Sequence, residues 1–233
     1  MKPKISDLQI AVFTPSLDFS NKILIANSIF EGMPDVFETN PTMLPVPNDA
    51  PAEIPRIILK NSNSSYMMNV GLNRFDFYYH DREMVDRIPT KEVDEIQNEA
   101  EKMIKLLAKT IKNNIGLKII RLGFVPTFVN KSDDATQLVR DTFFKTSKIP
   151  KNISEINYAI RKKEKVDNSD VNVGVNGSAY RMPNDELDNK VVVFNIDINT
   201  PPENPLDLTV DQVVSFYNKA FIYVKEHGKE LMI

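Results

Sequence analysis

Hydrophobic and polar residues alternate over several short stretches of this chain, which is the pattern of strands that bury one face. In residues 74–79, Phe75, Phe77 and Tyr79 fall on one side, while Asp76 and Tyr78 fall on the other. The same pattern predicts strands over residues 8–15, 56–60, 66–70 and 74–79, and then over 117–124 with a continuation past Pro126 to Val129, 153–165, 171–180 and 191–199.

Apolar residues at helical spacing predict four helices between these strands. The first lies near residues 19–31 and the third runs from Ser132 to near Lys148. A longer helix, residues 89–113, opens at Pro89 and Thr90 and carries acidic residues early and lysines late, as the helix dipole favours. The last helix opens at Thr209, with Gln212 placed to complete a capping box.

The order of elements repeats along the chain. Residues 69–73 read NVGLN and residues 172–176 read NVGVN, and each half runs strand, helix, three strands, long helix. The sequence therefore predicts an α+β fold of two pseudo-symmetric strand-helix-strands-helix repeats. Each half is expected to form an antiparallel sheet, with the long helices packed on one face. The repeat units are residues 1–115 and 116–233, and one continuous domain is the alternative.

Glycine and proline mark the loops. Six prolines in residues 34–55 exclude a long helix or a central strand there, so this segment is predicted to be a surface loop or an extended arm that covers a site or holds a partner. Asn176 and Gly177 form a dipeptide typical of a hairpin turn. Gly71, Gly174 and Gly177 lack the spacing of a phosphate-binding loop.

Composition narrows the function classes. The formal net charge is −3, which provides no overall field for nucleic acid or anionic membranes, and the chain has no Cys for a disulfide, a thiol nucleophile or a thiolate metal site. No apolar run has the length of a membrane span, and the N-terminal residues show no secretory signal. We therefore expect a cytoplasmic protein without a metal or a cofactor.

The candidate catalytic residues are few. His80 has Asp76 and Asp81 nearby, but no second His or Cys supports a metal or acid–base role, so a strand-end histidine facing water is favoured. His227 beside Gly228 suits a helix C-terminus. Asp197 lies on a strand face opposite Ile196 and Ile198; a solvated or salt-bridged carboxylate is favoured there, and the same holds for Asp76.

One short basic run offers a nucleic-acid alternative. Arg161, Lys162, Lys163 and Lys165 are its cations, with Glu164 among them. Cations in such a run can neutralise phosphates, although a solvated strand end is the favoured interpretation.

The C-terminal half resembles a known family. Residues 194–200 (FNIDINT) are followed by a helix that carries Val213, Phe216, Tyr217, Ala220 and Phe221, and then by residues 229–232 (KELM). This order resembles an uncharacterised, sporadically distributed prokaryotic protein family of about this length, and residues 119–124 look like the strand that opens its second half. The resemblance implies a fold and no reaction.

The absence of a catalytic constellation favours a non-enzymatic protein-interaction or scaffold protein that self-associates. It would present a sheet face or the Pro-rich segment to a protein partner. One alternative is nucleic-acid binding through an open sheet face, because the element order matches the DNA-gripping saddle of TATA-binding proteins. Another is small-molecule binding between the sheet and the helices.

Overall fold

The computed structural model describes residues 4–47, 49–85, 88–144, 155–166, 169–181, 190–202 and 207–231. The first half contains β1 (Ile5–Phe13), α1 (Lys22–Gly32), β2 (Thr42–Met43), β3 (Ile57–Lys60), β4 (Tyr66–Val70), β5 (Arg74–His80) and α2 (Val93–Lys109). The second half contains β6 (Arg121–Lys131), α3 (Ala135–Val139), β7 (Glu155–Val166), β8 (Ser169–Arg181), β9 (Lys190–Asn199) and α4 (Val210–Leu231).

All of these strands form one open antiparallel sheet, so the fold is α+β. The nine strands lie in the order β2-β3-β4-β5-β1-β6-β9-β8-β7. The expectation of a separate sheet in each half is wrong, because β1 pairs with β5 on one side and with β6 on the other. Ile10 lies opposite both Phe77 and Phe124 at this junction. Its apolar side chain therefore extends the buried layer from one half into the other.

Apolar residues of the sheet and of the helices belong to one buried core. Ile10, Phe77, Phe124 and Ile196 are almost fully buried, and they belong to the same apolar cluster as residues of α1, α2 and α4. The ring of Phe221 on α4 contacts the ring of Phe124 with centroids 4.7 Å apart. The alternation predicted for β5 is confirmed, since Phe75, Phe77 and Tyr79 lie on this buried face.

Helix α2 begins later than expected, because tertiary contacts hold the segment before it. The N–H and hydroxyl of Thr90 donate to the Asp81 carboxylate at 2.6 and 3.0 Å, and the Ile5 N–H donates to the Lys91 carbonyl at 3.3 Å. Glu92 is the N-cap, and it forms a capping box with Glu95. The predicted start at Pro89 and Thr90 was therefore wrong by about one turn.

Side-chain caps also mark the starts of α3 and α4. Thr209 and Gln212 form the expected capping box at the start of α4, with hydrogen bonds of 2.8 and 3.2 Å. Helix α3 begins later than the predicted start at Ser132, because Asp134 is the N-cap and its side chain accepts from the Gln137 N–H at 2.9 Å. The expected end of that helix near Lys148 and Pro150 lies outside the described residues.

Strand β6 differs from its prediction at both ends. The Leu117 N–H donates back to the Ile111 carbonyl at 3.0 Å, so residues 117–120 form a connection and the strand begins at Arg121. The strand does run past Pro126, as expected, and ends at Lys131. Its register with β9 skips Val125 and Pro126, which fits the missing N–H of proline.

The hairpin predicted at Asn176 and Gly177 is absent from β8. Both residues lie within a continuous strand, where Gly177 is opposite Tyr158 on β7. A Cβ at position 177 would lie 2.2 Å from the Tyr158 ring. Glycine is therefore used here because an aromatic ring from the neighbouring strand occupies its side-chain space, and not because the chain turns.

The Pro-rich segment packs against the body over its described residues, 34–47 and 49–55, and forms no extended arm. Phe37 is fully buried, and the Leu72 N–H donates to the Ala52 carbonyl at 2.7 Å. Arg56, only 1% exposed, donates to the carbonyls of Ile54 at 2.9 Å and Pro47 at 3.3 Å. A buried guanidinium thus stabilises a segment that has little regular structure of its own.

In the described part of the chain, no helix combines the length and the apolar character needed to cross a membrane.

Candidate functional site: the polar face of the sheet

The face of the sheet opposite the core carries polar side chains and is partly accessible to solvent. We call it the polar face. It consists of residues 7, 9, 11 and 13 of β1, 74, 76, 78 and 80 of β5, 67 and 69 of β4, 58 and 60 of β3, 121, 123, 125 and 127 of β6, 195, 197 and 199 of β9, 172, 174, 176 and 178 of β8, and 157, 159, 161 and 163 of β7. Most of these residues are half-buried or exposed, whereas their neighbours along the strands other than β7 are mostly buried.

An aromatic ring lies between two cations at one end of the middle strand of the polar face. Phe13, at the end of β1, lies opposite Arg74 on β5 and Arg121 on β6. The guanidinium carbons of Arg74 and Arg121 lie 5.1 and 4.7 Å from its ring centroid. Both distances are within the range of cation–π attraction, so the ring stabilises the positions of the two guanidinium groups.

Arg74 is also the start of a hydrogen-bond network on the β5 side. Its Nε donates to the Asp76 carboxylate at 2.7 Å, and Gln9 Nε2 donates to the same carboxylate at 2.9 Å and to the Tyr78 hydroxyl at 3.3 Å. Burial raises the pKa of Asp76 above its usual value, although Arg74 and Gln9 favour the charged form. Asp76 is 6% exposed and paired with Arg74, so of the two expected forms, solvated or salt-bridged, the structure shows the salt-bridged one.

His80 lies at the far end of this network and does not simply face water, as the sequence had suggested. Its Nδ1 lies 2.6 Å from the Asp7 carboxylate, and its side chain is 27% exposed. The ring stacks on Tyr78 with centroids 6.0 Å apart. Burial alone would raise the pKa of Asp7, but hydrogen bonds from His80 and Ser6 outweigh burial and hold the pKa below its usual value.

Arg121 joins the network on the other side of Phe13. It donates from a terminal nitrogen to Asn199 Oδ1 at 3.0 Å and from Nε to the Thr200 carbonyl at 3.1 Å. Asn199 in turn donates to the Asp197 carboxylate at 3.1 Å. Asp197 is half-buried and lies opposite the fully buried Ile196 and Ile198, as the alternation predicted.

A depression of about 490 Å³ adjoins Asn199 and Asp197. Its lining includes Asn172, Gly174 and Asn176 on β8 and Arg161 and Lys163 on β7. The absence of a side chain at Gly174 leaves room between Asp197 and β7. The depression therefore offers amide donors and acceptors beside one carboxylate and two cations, a set suited to binding polar groups.

The structure separates the four cations of the predicted nucleic-acid site. Arg161 and Lys163 lie on the polar face at the outer strand, and the alternation of β7 places Lys165 on that side too. Lys162 points the other way, where its Nζ lies 2.8 Å from Glu164 and 5.7 Å from the Tyr223 ring centroid on α4. The hydrogen bond to Glu164 raises the pKa of Lys162, so this cation is already paired within the chain.

Among the described residues no three His, Asp or Glu side chains are grouped to hold a metal ion. His227 lies near Tyr223, with ring centroids 4.5 Å apart, on the helix side of the sheet. The groups on the polar face are mostly held by hydrogen bonds to one another.

Sequence reasoning missed the aromatic–cation cluster of the polar face. Phe13, Arg74 and Arg121 stand far apart along the chain and meet only because β1 pairs with both β5 and β6. The asparagines of β8 did carry a signal, since Asn172 and Asn176 alternate with buried valines.

No protein-family model matches the chain, and no curated protein sequence matches it. The resemblance of the C-terminal half to an uncharacterised family therefore stays a prediction.

Proposed function

We propose that this chain is a non-enzymatic protein-binding scaffold whose polar face receives the partner. One observation carries the proposal: the Phe13 ring lies between the guanidinium groups of Arg74 and Arg121 at one end of the middle strand of an accessible sheet face. Aromatic residues and arginine are enriched at the centres of protein interfaces, where a few residues supply most of the binding free energy.

The fixed positions of these side chains support binding of a folded partner. Asp76 and Asn199 hold the two arginines in place before any partner arrives. A preorganised surface loses less side-chain entropy on binding than a mobile one, so more of the contact free energy appears as affinity. Carboxylates beside the cations also favour a protein surface of mixed charge over a polyanion.

We also propose the finer architecture that leaves this face open. The strand order outward from the centre is β1-β5-β4-β3 on one side and β6-β9-β8-β7 on the other, which supports two pseudo-symmetric halves. Val70 on β4 and Val173 on β8 then occupy equivalent strands. Helix α2 contacts α4, and both contribute to the core on the apolar face, which supports a single helix layer there.

The proposal is tested by capture of binding proteins from an extract of the source cells. The Phe13→Ala and Arg121→Ala variants should each lose the proteins that the natural chain captures. Lys102→Ala is the matched control, because Lys102 is exposed on α2 and lies away from the polar face. Identical capture by all four chains, with folding verified by thermal unfolding, would contradict the assignment of this face.

Nucleic-acid binding is the second candidate, and one observation favours it. Arg161 and Lys163 lie beside the depression on the same face as Arg121 and Arg74, so a single strand lying across the sheet would meet several cations. The depression lies on the polar face and so lends no support to a pocket between the sheet and the helices.

A further inference from the structure

We propose that β7 is a homodimer interface, at which two copies of this chain pair edge to edge with Ile160 on the two-fold axis. This surface is distinct from the polar face, and the pairing does not depend on the function proposed above. It would join the two open sheets into one.

The outer edge of β7 is long and unoccupied in the described structure. β7 runs from Glu155 to Val166 and pairs only with β8, so the backbone groups on its other side have no strand partner in the described ranges. The side chain of Ile160 is 42% exposed near the middle of this strand. A long edge strand with an exposed apolar residue is a template for pairing with another strand.

Cations on an edge strand commonly prevent such pairing, and β7 carries several of them. The same strand, however, begins with Glu155 and ends its charged run with Lys165. An antiparallel copy would bring the acidic start of one strand to the basic end of the other, whereas a parallel copy would bring the basic runs side by side. The charges therefore specify an antiparallel second copy of the chain.

The register follows from two requirements. First, the polar faces of the two copies must lie on the same side of the joined sheet. This requirement is met when the two-fold axis passes through a residue position of β7, so that this residue lies opposite the same residue of the second copy. Second, no like charges should lie directly opposite. A two-fold axis at Arg161 opposes two arginines, and an axis at Lys162 opposes two lysines. An axis before Ile160 avoids these clashes but leaves the basic end of the strand unpaired.

The Ile160-centred register is the longest that meets both requirements. Glu155 then lies opposite Lys165 of the second copy, at both ends of the interface. Lys162 lies opposite Tyr158, and the exposed side chains of the two Ile160 residues cover one another. Direct cross-strand neighbours of this kind stabilise an antiparallel pair.

Charge reversal tests the interface by sedimentation equilibrium. The natural chain should dimerise with protein concentration, and Glu155→Lys and Lys165→Glu should each raise the dimer dissociation constant on the order of tenfold, because each substitution opposes like charges twice. The double variant restores opposite charges and should recover the affinity of the natural chain. Thermal unfolding of each variant verifies that the monomer is intact.

Disulfide formation tests the register. The chain has no Cys, so single substitutions are unambiguous. In Ile160→Cys the two thiols would stand on directly opposed residues, whose Cα atoms lie about 4.5–5.5 Å apart in an antiparallel pair, a separation that a disulfide bridges. In the control Lys163→Cys the same atoms would lie ~20 Å apart. Air oxidation should therefore link the first variant and leave the second unlinked.

Three results would overturn the proposal. A chain that remains monomeric throughout the soluble concentration range has no such interface. A dimer that is indifferent to both charge reversals uses another surface. Cross-linking of Lys163→Cys in preference to Ile160→Cys would exclude the register.

Discussion

At the residue scale, the Tyr158 ring on β7 fills the space that a side chain at Gly177 on β8 would occupy. The Tyr158 ring lies over Gly177, and burial raises the pKa of the Tyr158 hydroxyl to about 12. Gly174, three residues earlier on β8, has no such cover, because a Cβ there would meet Asp197 at an ordinary contact distance of 3.7 Å. A side chain at position 177 would therefore clash with the Tyr158 ring, whereas a Cβ at position 174 would fit.

Gly177→Ala should lower the free energy of unfolding by about 1–2 kcal/mol, because the added methyl group displaces the Tyr158 ring from its half-buried position. Denaturant unfolding provides the measurement. Gly174→Ala is the matched control and should be neutral or slightly stabilising, since alanine costs less backbone entropy than glycine in a strand. In a Tyr158→Ala background the cost of Gly177→Ala should largely disappear; an unchanged cost would show that the ring is not the cause.

The contact between Asp7 and His80 gives a prediction with a defined pH dependence. The pKa of Asp7 is lowered in the folded chain, so its carboxylate contributes stability above its unfolded pKa of 3.8, and that stability is lost as pH falls through the folded pKa. Asp7→Asn should therefore destabilise the chain at pH 7, by no more than about 0.5 kcal/mol, because a side chain this exposed is screened by solvent.

Urea unfolding of the natural chain and the Asp7→Asn variant should thus give curves that differ at pH 7 and converge below pH 3.8. A difference that grows toward acid pH would contradict the assigned direction of the shift.

At the element scale, the two long helices contribute their apolar sides to the shared core. Leu107 on α2 is 1% exposed, and Phe221 on α4 is fully buried against Phe124. The Tyr217 hydroxyl on α4 also donates to the Ala11 carbonyl of β1 at 2.9 Å, which ties the last helix to the first strand. Burial raises the pKa of Tyr217 well above its usual value, so this donor keeps its proton.

Leu107→Ala and Phe221→Ala should each lower the free energy of unfolding by about 2–5 kcal/mol, from lost apolar burial and the cavity that remains. Ile222→Ala is the matched control for the second variant, because Ile222 follows Phe221 on the same helix and is 49% exposed. Its effect should stay within about 0.5 kcal/mol. Unchanged stability in both core variants would contradict the packing of these helices on the sheet.

At the scale of the whole molecule, charge is balanced and dispersed. The sequence holds 29 basic and 32 acidic residues. On the polar face Arg74 is paired with Asp76, and Arg121 is bonded to Asn199. Lys162 is paired with Glu164 on the other side of the sheet. The molecule therefore presents no continuous basic stripe along its described surface for a phosphate backbone to follow.

We expect no binding to random duplex DNA tighter than the weak non-specific range, with a dissociation constant of about 10⁻⁴–10⁻⁶ M at physiological salt. Fluorescence anisotropy with a labelled duplex, titrated at two salt concentrations, checks this, and a labelled single strand extends the test to the polar face. Arg161→Ala combined with Lys163→Ala is the variant for any binding that is seen. Tight binding that weakens steeply with salt and is lost in that variant would replace the protein-binding proposal with nucleic-acid recognition.

The sequence by itself determined what depends on neighbours along the chain. Period-two alternation places Phe75, Phe77 and Tyr79 together on one side of β5, and it did so without any knowledge of what packs there. The capping box at Thr209 and Gln212 is equally local, because its hydrogen bonds join residues three apart. Signals of this range predicted most of the strands and both long helices.

Only the tertiary structure decided what depends on partners distant in sequence. The Asn176–Gly177 pair has the composition of a turn, yet β7 and β9 pair with β8 on both sides and keep it extended. The start of α2 was set by Asp81, which binds Thr90 from another loop. The pairing of β1 with β6 merged two expected sheets into one and brought Arg74 and Arg121 to the same ring. No local sequence pattern predicts the contact of Arg74 and Arg121 with Phe13, because it depends on the order of the strands in the sheet.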